Sequence, residues 1–322
     1  AGMRKSGVLL PVTSIPSRYG IGTFSREAYE FVDFLKKAGQ KLWQILPLGP
    51  TGYGDSPYQS FSTFAGNPYL IDLEALIEKG WLTAEECEET DWGGSEAYVD
   101  YEKMYFNRFP LLKLACERSG IRKDPDFAAF CEENDRWLSD YALFMALKDS
   151  HGGAAFVEWE KPLRMREEAA LERCKKELAE EIVFWKFLQF LFWEQWTALK
   201  AYANDNGISI VGDIPIYVAY DSADTWAHPE LFCLEEDRLP KAVAGVPPDA
   251  FSATGQLWGN PLYDWDYHRE TGYAWWLSRL DFCSRLYDVV RIDHFRGFEA
   301  YFSIPYGDKT AVNGHWEKGP DY

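Results

Sequence analysis

The chain contains four short apolar runs, and each run predicts a strand. They span residues 7–10, 42–46, 208–214 and 289–292, and a proline follows each of the first three. Their β-branched and aliphatic residues favour short buried strands. Between the first two runs lies a helical pattern that Ser25 can cap and Gly39 can end. Strand, helix and strand at this spacing predict a βαβ unit with parallel strands.

The segment between the second and third runs does not continue this alternation of strand and helix. Residues 75–181 are charged, helical in pattern and poor in strand signals, which predicts an inserted helical subdomain with solvated charged faces. We therefore divide the chain into 3–74 (strands 1 and 2 with a substrate loop), 75–181 (the insert) and 182–322 (barrel helix 2 to strand 4). Four βα-type repeats predict an α/β fold that is the first half of a (β/α)8 barrel, incomplete in this chain.

Charge and cysteine usage exclude several classes of function. The chain has 33 Lys and Arg against 51 Asp and Glu, a net charge of −18, so nucleic acid and anionic membranes are unsuited as partners. The six cysteines form no C-x-x-C pair, and no His, Cys and Asp cluster has ligand spacing, so we expect neither metal nor cofactor. Free thiols and the lack of a signal peptide predict a cytoplasmic protein.

The fourth run carries the strongest chemical signal. Arg291 and Asp293 are two residues apart and project from the same face of an extended chain. An arginine beside a carboxylate favours the ionised acid, which suits the nucleophile of a covalent glycosidase-type reaction. A buried ion pair that merely closes the strand is an equally good interpretation of these two residues alone. Asp213 repeats the placement at the end of the third run, where a structural acid is at least as plausible as a catalytic one.

Two turn-rich segments follow strand ends, where parallel α/β folds place ligand loops. Residues 49–68 form the first segment, which is long for an ordinary connector. Residues 245–261 form the second, which has three glycines and three prolines, so we expect a loop without strand or helix. The second segment carries Asp249, Gln256, Trp258 and Asn260, a polar and aromatic set that suits sugar hydroxyls and ring faces.

Together these segments resemble one family, the 4-α-glucanotransferases called amylomaltases or disproportionating enzymes, of the α-amylase clan. The motifs that carry the resemblance are GPTGYGDSPYQ at 49–59, GDIPIYV at 212–218, GQLWGNP at 255–261 and RIDHFRGF at 291–298. The resemblance implies a (β/α)8 barrel and retaining transfer of α-1,4-glucan segments between maltodextrin donors and acceptors. It also implies that no cofactor or metal takes part.

The resemblance assigns roles to individual positions. It makes Asp293 the nucleophile, Arg291 the residue that orients and ionises it, and Asp213 and His294 supporting residues. The positions that match glucan-contacting residues are Ser56, Tyr58, Asp249, Gln256 and Trp258. Tyr53 resembles a ring that binds glucan away from the cleavage point.

One part of the family pattern has no match in this chain. The family's acid/base is a glutamate on the fifth strand, and a third carboxylate lies on the seventh; Glu299 and Glu317 stand elsewhere. We therefore expect these 322 residues to be the N-terminal part of a longer enzyme and to be inactive alone, although a natural chain of this length is the alternative. The open fourth strand predicts self-association through its edge, or marginal stability.

Two other functions stay open at this point. A hydrolase of the same clan would use the same nucleophile, and the type of product would distinguish it from a transferase. A non-catalytic glucan-binding protein would keep the aromatic residues and the 245–261 segment without an acid. The presence of both Arg291 and Asp293 favours the transferase, because binding alone requires neither of them.

Overall fold

The computed structural model describes residues 2–51 and 58–321, which form two four-stranded sheets and a large set of helices. The strands are β1 (Gly7–Leu9), β2 (Leu42–Gln44), β3 (Ser209–Pro215), β4 (Ala242–Val246), β5 (Gln256–Pro261), β6 (Val289–Asp293), β7 (Ala300–Pro305) and β8 (His315–Lys318). The first sheet is parallel with the order β1-β2-β3-β6, and the second is antiparallel with the order β5-β4-β7-β8.

Helices fill most of the rest of the described chain. They are α1 (Arg26–Lys37), α2 (Leu73–Glu78), α3 (Ala84–Glu88), α4 (Tyr101–Lys103), α5 (Phe109–Ser119), α6 (Pro125–Glu133), α7 (Asp135–Ser150), α8 (Lys161–Arg164), α9 (Glu168–Glu177), α10 (Ala179–Asp205), α11 (Ala223–Ala227), α12 (Trp265–Glu270) and α13 (Ala274–Leu286). A π-helix spans Met104–Arg108, and short 3-10 helices span Val12–Ser14, Pro68–Leu70, Ile121–Lys123, Phe156–Glu158, Pro229–Leu231 and Phe295–Phe298.

The parallel sheet confirms the predicted strand–helix–strand unit at the start of the chain. Val8 of β1 lies beside Trp43 of β2, and Trp43 lies beside Ile210 of β3. Helix α1 connects the first two strands, and Gly39 has the positive φ of 72° that ends it, as its position in the sequence predicts. Parallel strands joined in this way bring their carboxyl ends to one edge of the sheet.

The helices between β2 and β3 share their core with the sheet. Trp43 and Ile210 of the sheet belong to the same buried cluster as Leu138 of α7 and Leu188 of α10. Two glutamines of α10 hold the segment that follows β2. Gln189 bonds to the backbone N–H and carbonyl of Gly66 at 2.8 and 2.9 Å. Gln195 bonds in the same way to Asp72 at 2.7 and 3.3 Å.

Strand β6 is less buried than its composition predicts. Val289, which we expected inside a buried strand, is 48% exposed. The reason is its place in the sheet, because β6 pairs with β3 along one edge and no described strand pairs with its other edge. The β-branched residues of this run therefore predict the strand correctly, but they do not predict how buried it is.

The prediction of a loop over residues 245–261 is wrong at both ends. The end of β4 and the whole of β5 lie in this segment and pair in antiparallel fashion, with Val246 beside Gln256. The register shifts between Val243 and Gly245, and this irregularity hides the alternation that a regular strand gives in sequence. Strand β4 also pairs with β7, whose residues lie far along the chain, so local pattern alone does not reveal the sheet.

Among the described residues, no helix combines the length and apolar character needed to cross a membrane. The six cysteines are free, and Cys87, Cys174 and Cys283 are buried.

Candidate active site

The candidate site lies where β3 and β6 end side by side. Asp213 of β3 pairs in register with Arg291 of β6, and Pro215 pairs with Asp293. Because the two strands are parallel and adjacent, both aspartates reach the same edge of the sheet. The sequence expectation that Arg291 and Asp293 share a face is confirmed by a direct ion pair between them.

Arg291 bridges the two carboxylates. Its Nη1 donates to Oδ1 of Asp213 at 2.8 Å, and its Nη2 donates to Oδ1 of Asp293 at 3.1 Å. The bond to Asp213 is the largest of the interactions that raise the pKa of the Arg291 guanidinium. The side chain of Asp213 is only 2% exposed, whereas that of Asp293 is 44% exposed. One carboxylate therefore anchors the arginine, and the other faces the open cavity.

Tyr58 completes the environment of Asp213. Its phenol donates a hydrogen bond to Oδ2 of Asp213 at 2.7 Å. Burial, followed by this bond, raises the pKa of Tyr58 to about 12, so the phenol keeps its proton at neutral pH. Both oxygens of Asp213 accept hydrogen bonds from side chains, which leaves this buried acid poorly placed to give a proton to a substrate.

Aromatic side chains surround the exposed carboxylate. Asp293 lines a cavity of about 430 Å³ together with Tyr58, Tyr217, Trp258 and His294. The ring of His294 lies edge-on to Trp258 with the centroids 4.9 Å apart. Burial lowers the pKa of His294, which favours the neutral imidazole. A cavity with a carboxylate, a neutral imidazole and apolar rings suits a neutral ligand that has hydroxyl groups and flat apolar faces.

The remaining residues that the resemblance assigns to glucan binding are Gln256, Asp249, Ser56 and Tyr53. Gln256 is exposed, and its Oε1 accepts a bond from Trp258 Nε1 at 3.0 Å, which orients the indole at the cavity. Asp249 is exposed, and its Oδ1 accepts bonds from the backbone N–H groups of Phe251 and Ser252, both at 2.8 Å. It is not among the residues that line the cavity around Asp293. Ser56 and Tyr53 lie outside the described residues.

The sequence names Asn260 as a polar residue of the 245–261 segment, but sequence reasoning missed Tyr263 and Arg279, which also fix the segment after β3. Asn260 donates to the carbonyl of Val218 at 2.8 Å, and Tyr263 donates to the carbonyl of Ile216 at 2.6 Å. Arg279 of α13, which is buried, donates to the same Ile216 carbonyl at 3.1 Å. Asn260 stands in the quoted GQLWGNP motif, which is a sequence signal for it. The link from Arg279 to a backbone carbonyl has no such signal.

The two glutamates considered from the sequence, Glu299 and Glu317, do not line the cavity around Asp293. Glu317 lies on β8 of the antiparallel sheet, where it accepts a bond from the Tyr301 phenol at 3.0 Å and contacts His315 at 2.9 Å. Across residues 2–51 and 58–321, no group of three or more His, Cys, Asp or Glu side chains is arranged to hold a metal ion. Among the described residues that line the cavity, Asp293 is the one carboxylate, and Arg291 positions it.

Comparison with known proteins agrees with these motifs. The family model described as 4-alpha-glucanotransferase matches residues 10–322. The chain belongs to the 4-α-glucanotransferase family. The resemblance stated from the sequence motifs is thereby confirmed. Two 4-α-glucanotransferases illustrate the similarity: that of Clostridium butyricum is 52% identical over 96% of this chain, and that of Thermus thermophilus is 54% identical over 98%.

The chain is shorter than these relatives. It covers 64% of the Clostridium butyricum 4-α-glucanotransferase and 63% of the Thermus thermophilus protein. Among solved structures, the amylomaltase from Streptococcus agalactiae in complex with acarbose superposes with a TM-score of 0.95 at 46% identity. That match covers 99% of this chain and 65% of the other, and it confirms the α/β fold.

Proposed function

We propose that this protein is a 4-α-glucanotransferase that moves α-1,4-glucan segments between maltodextrins by a retaining double displacement. The observation that carries the proposal is the exposed Asp293 carboxylate, held through Arg291 to the buried Asp213 at one edge of a parallel sheet. The sheet is the first half of a (β/α)8 barrel, with 75–181 as its helical insert and 3–74 and 182–322 as the barrel segments. Six free cysteines suit a cytoplasmic protein.

In the first step Asp293 attacks the anomeric carbon of the donor glucan. Arg291 contacts Oδ1, and no described residue donates a hydrogen bond to Oδ2, so Oδ2 is the oxygen that forms the new bond. The bond from the anomeric carbon to the leaving oxygen breaks as the glycosyl–aspartate ester forms. Asp213 acts through Arg291 as a positioning residue, because its two oxygens are occupied by Arg291 and Tyr58.

The leaving oxygen needs a proton from a second carboxyl group roughly 5 Å from the nucleophile. The motifs of this chain offer no residue for that role, which is why we expect the 322-residue chain to be inactive alone. In the second step the hydroxyl of an acceptor glucan attacks the ester and releases Asp293. Trp258, Tyr58 and His294 provide the surface on which an acceptor sugar competes with water.

Product analysis with maltotriose tests this function in the protein expressed from its intact gene. A transferase yields glucose together with maltopentaose and longer chains. A hydrolase of the same clan yields only shorter sugars, and a glucan-binding protein yields no products; either result would refute the proposal. Asp293→Asn should lower transfer by at least about 1,000-fold. The control is Asp281→Asn, because Asp281 is an exposed aspartate paired with Arg285 on α13.

A further inference from the structure

A second cavity lies outside the parallel sheet, between α7, α11 and the start of α13. Its volume is about 240 Å³, and its walls include Trp137 of α7, Asp224 of α11 and Trp275 of α13. Neither Asp293 nor Arg291 lines it. The cavity is therefore distinct from the one in which the proposed reaction takes place.

The walls of this cavity are aromatic. The rings of Phe64 and Trp137 are stacked at 6.2 Å with 20° between their planes. Trp275 meets Phe64 edge-on at 6.4 Å, and Tyr267 lines the same space. Rigid aromatic walls of this kind suit a ligand that has flat apolar faces.

The lining carries three carboxyl groups, those of Asp140, Asp224 and Glu230, and each of them has a partner. Asp140 is paired with Arg166 at 2.8 Å, and Glu230 is paired with His228 at 3.2 Å. The carboxylate of Asp224 is 5% exposed, and one of its oxygens accepts a backbone bond at 2.8 Å. Arg136 also lines the cavity, adds a positive charge and donates to the hydroxyl of Ser278 at 2.6 Å. A lining that has both acceptors and donors, and whose carboxyl groups are already paired, suits a neutral ligand rich in hydroxyl groups better than an ion.

The size of the cavity limits that ligand. Pockets for drug-sized molecules span roughly 300–1,000 Å³, and this one is smaller at about 240 Å³. We propose that it binds a single neutral sugar residue, at a site separate from Asp293. The choice of glucose as that residue rests on the proposed function, whereas the preference for a neutral polyhydroxy compound rests on the lining alone. The residue is either free glucose or the glucosyl end of a maltodextrin.

Ala274 gives a direct way to block the cavity. It is exposed at the first position of α13 and lines the cavity, so Ala274→Tyr places a ring in the space. Leu277→Tyr is the matched control, because Leu277 is 62% exposed on the same helix and does not line the cavity. A second variant, Arg136→Met, removes a donor from the rim without filling the space.

Ligand-observed NMR titration with D-glucose and with maltotriose tests the proposal. The 322-residue chain carries Trp258→Ala in all samples, so that binding around Asp293 is weakened. We expect saturable binding that survives in the Leu277→Tyr variant, falls at least tenfold with Ala274→Tyr and falls several-fold with Arg136→Met. Tighter binding of maltotriose than of glucose would identify a chain end as the occupant, and the reverse would identify free glucose. Circular dichroism confirms that each variant is folded.

Two results would overturn the proposal: no saturable binding of either sugar, or binding that Ala274→Tyr and Arg136→Met leave unchanged. The proposed function is tested separately, by whether a covalent glycosyl adduct forms on Asp293. Ala274→Tyr does not alter that chemistry, since Ala274 does not line the cavity of Asp293.

Discussion

The glutamines of α10 allow a sharp test of how the segment after β2 is held. Gln189 is 2% exposed, and its amide satisfies both backbone groups of Gly66, which is itself buried. Gly66 and Asp213 line the same inner cavity, so this anchor supports the site as well as the fold. The substitution Gln189→Leu keeps most of the side-chain volume and removes both hydrogen bonds.

The magnitude follows from the two groups left without partners. Each buried unsatisfied backbone group costs about 1–3 kcal/mol, so the pair costs roughly 2–6 kcal/mol. Leucine recovers about 1–2 kcal/mol by burying more apolar surface. The net loss is therefore about 0–5 kcal/mol, with a midpoint of about 2–3 kcal/mol, against a total stability of roughly 5–15 kcal/mol for a typical domain. Gln195→Leu is the control: it removes the same bond pattern to Asp72 at a partly exposed position, where water replaces the bonds.

Urea unfolding followed by circular dichroism measures both free energies of unfolding. The structure predicts that Gln189→Leu loses clearly more stability than Gln195→Leu, whose loss should stay near or below about 1 kcal/mol. Equal losses of unfolding free energy in the two variants, or no loss in Gln189→Leu, would contradict this prediction. Either result would show that burial of the Gln189 amide does not determine how much its hydrogen bonds to Gly66 stabilise the fold.

Three further predictions concern other parts of the chain. Burial raises the pKa of Asp72, which caps α2, to about 6. The native state therefore binds this proton more tightly than the unfolded chain does, and stability falls as the pH rises from about 4 to about 6. Asp72→Asn, which keeps the cap, should flatten that part of a urea-unfolding pH profile. A Cβ at Gly212 would lie 2.3 Å from the Tyr287 ring, so Gly212→Ala should cost about 1–3 kcal/mol in thermal unfolding, and an unchanged Tm would contradict this contact. Val289→Lys places a charge on the open edge of β6 and should abolish any self-association seen by light scattering; association unchanged by it would exclude this edge.

The parallel sheet and the central pair were predictable because their signals are local. Strand and helix periods are read within ten to twenty residues, and the two-residue spacing of Arg291 and Asp293 fixes a shared face in any strand. The hydrogen bond from Arg291 to Asp213 was harder to predict from the sequence. It depends on the β3–β6 register, which joins residues that are 78 positions apart.

The errors come from contacts that no local pattern encodes. The strands inside 245–261 depend on pairing with β7 and contain a register shift. Val289 has the composition of a buried strand but lies at a sheet edge. In these cases the place of the segment in the folded sheet decides whether it forms a strand or is buried, and a single sequence does not reveal that place.

Trapping of a glycosyl–enzyme ester on the 322-residue chain tests whether Asp293 is the nucleophile. α-Maltotriosyl fluoride is a donor whose leaving group needs no proton, so attack by Asp293 does not depend on a second carboxyl group. If Asp293 is the nucleophile, intact-protein mass spectrometry detects one added maltotriosyl unit. Peptide mapping should place that unit on Asp293, with the same result for Asp281→Asn and no adduct for Asp293→Asn. An adduct that persists in Asp293→Asn, or its absence from the unmodified chain, would contradict the assignment of Asp293 as the nucleophile.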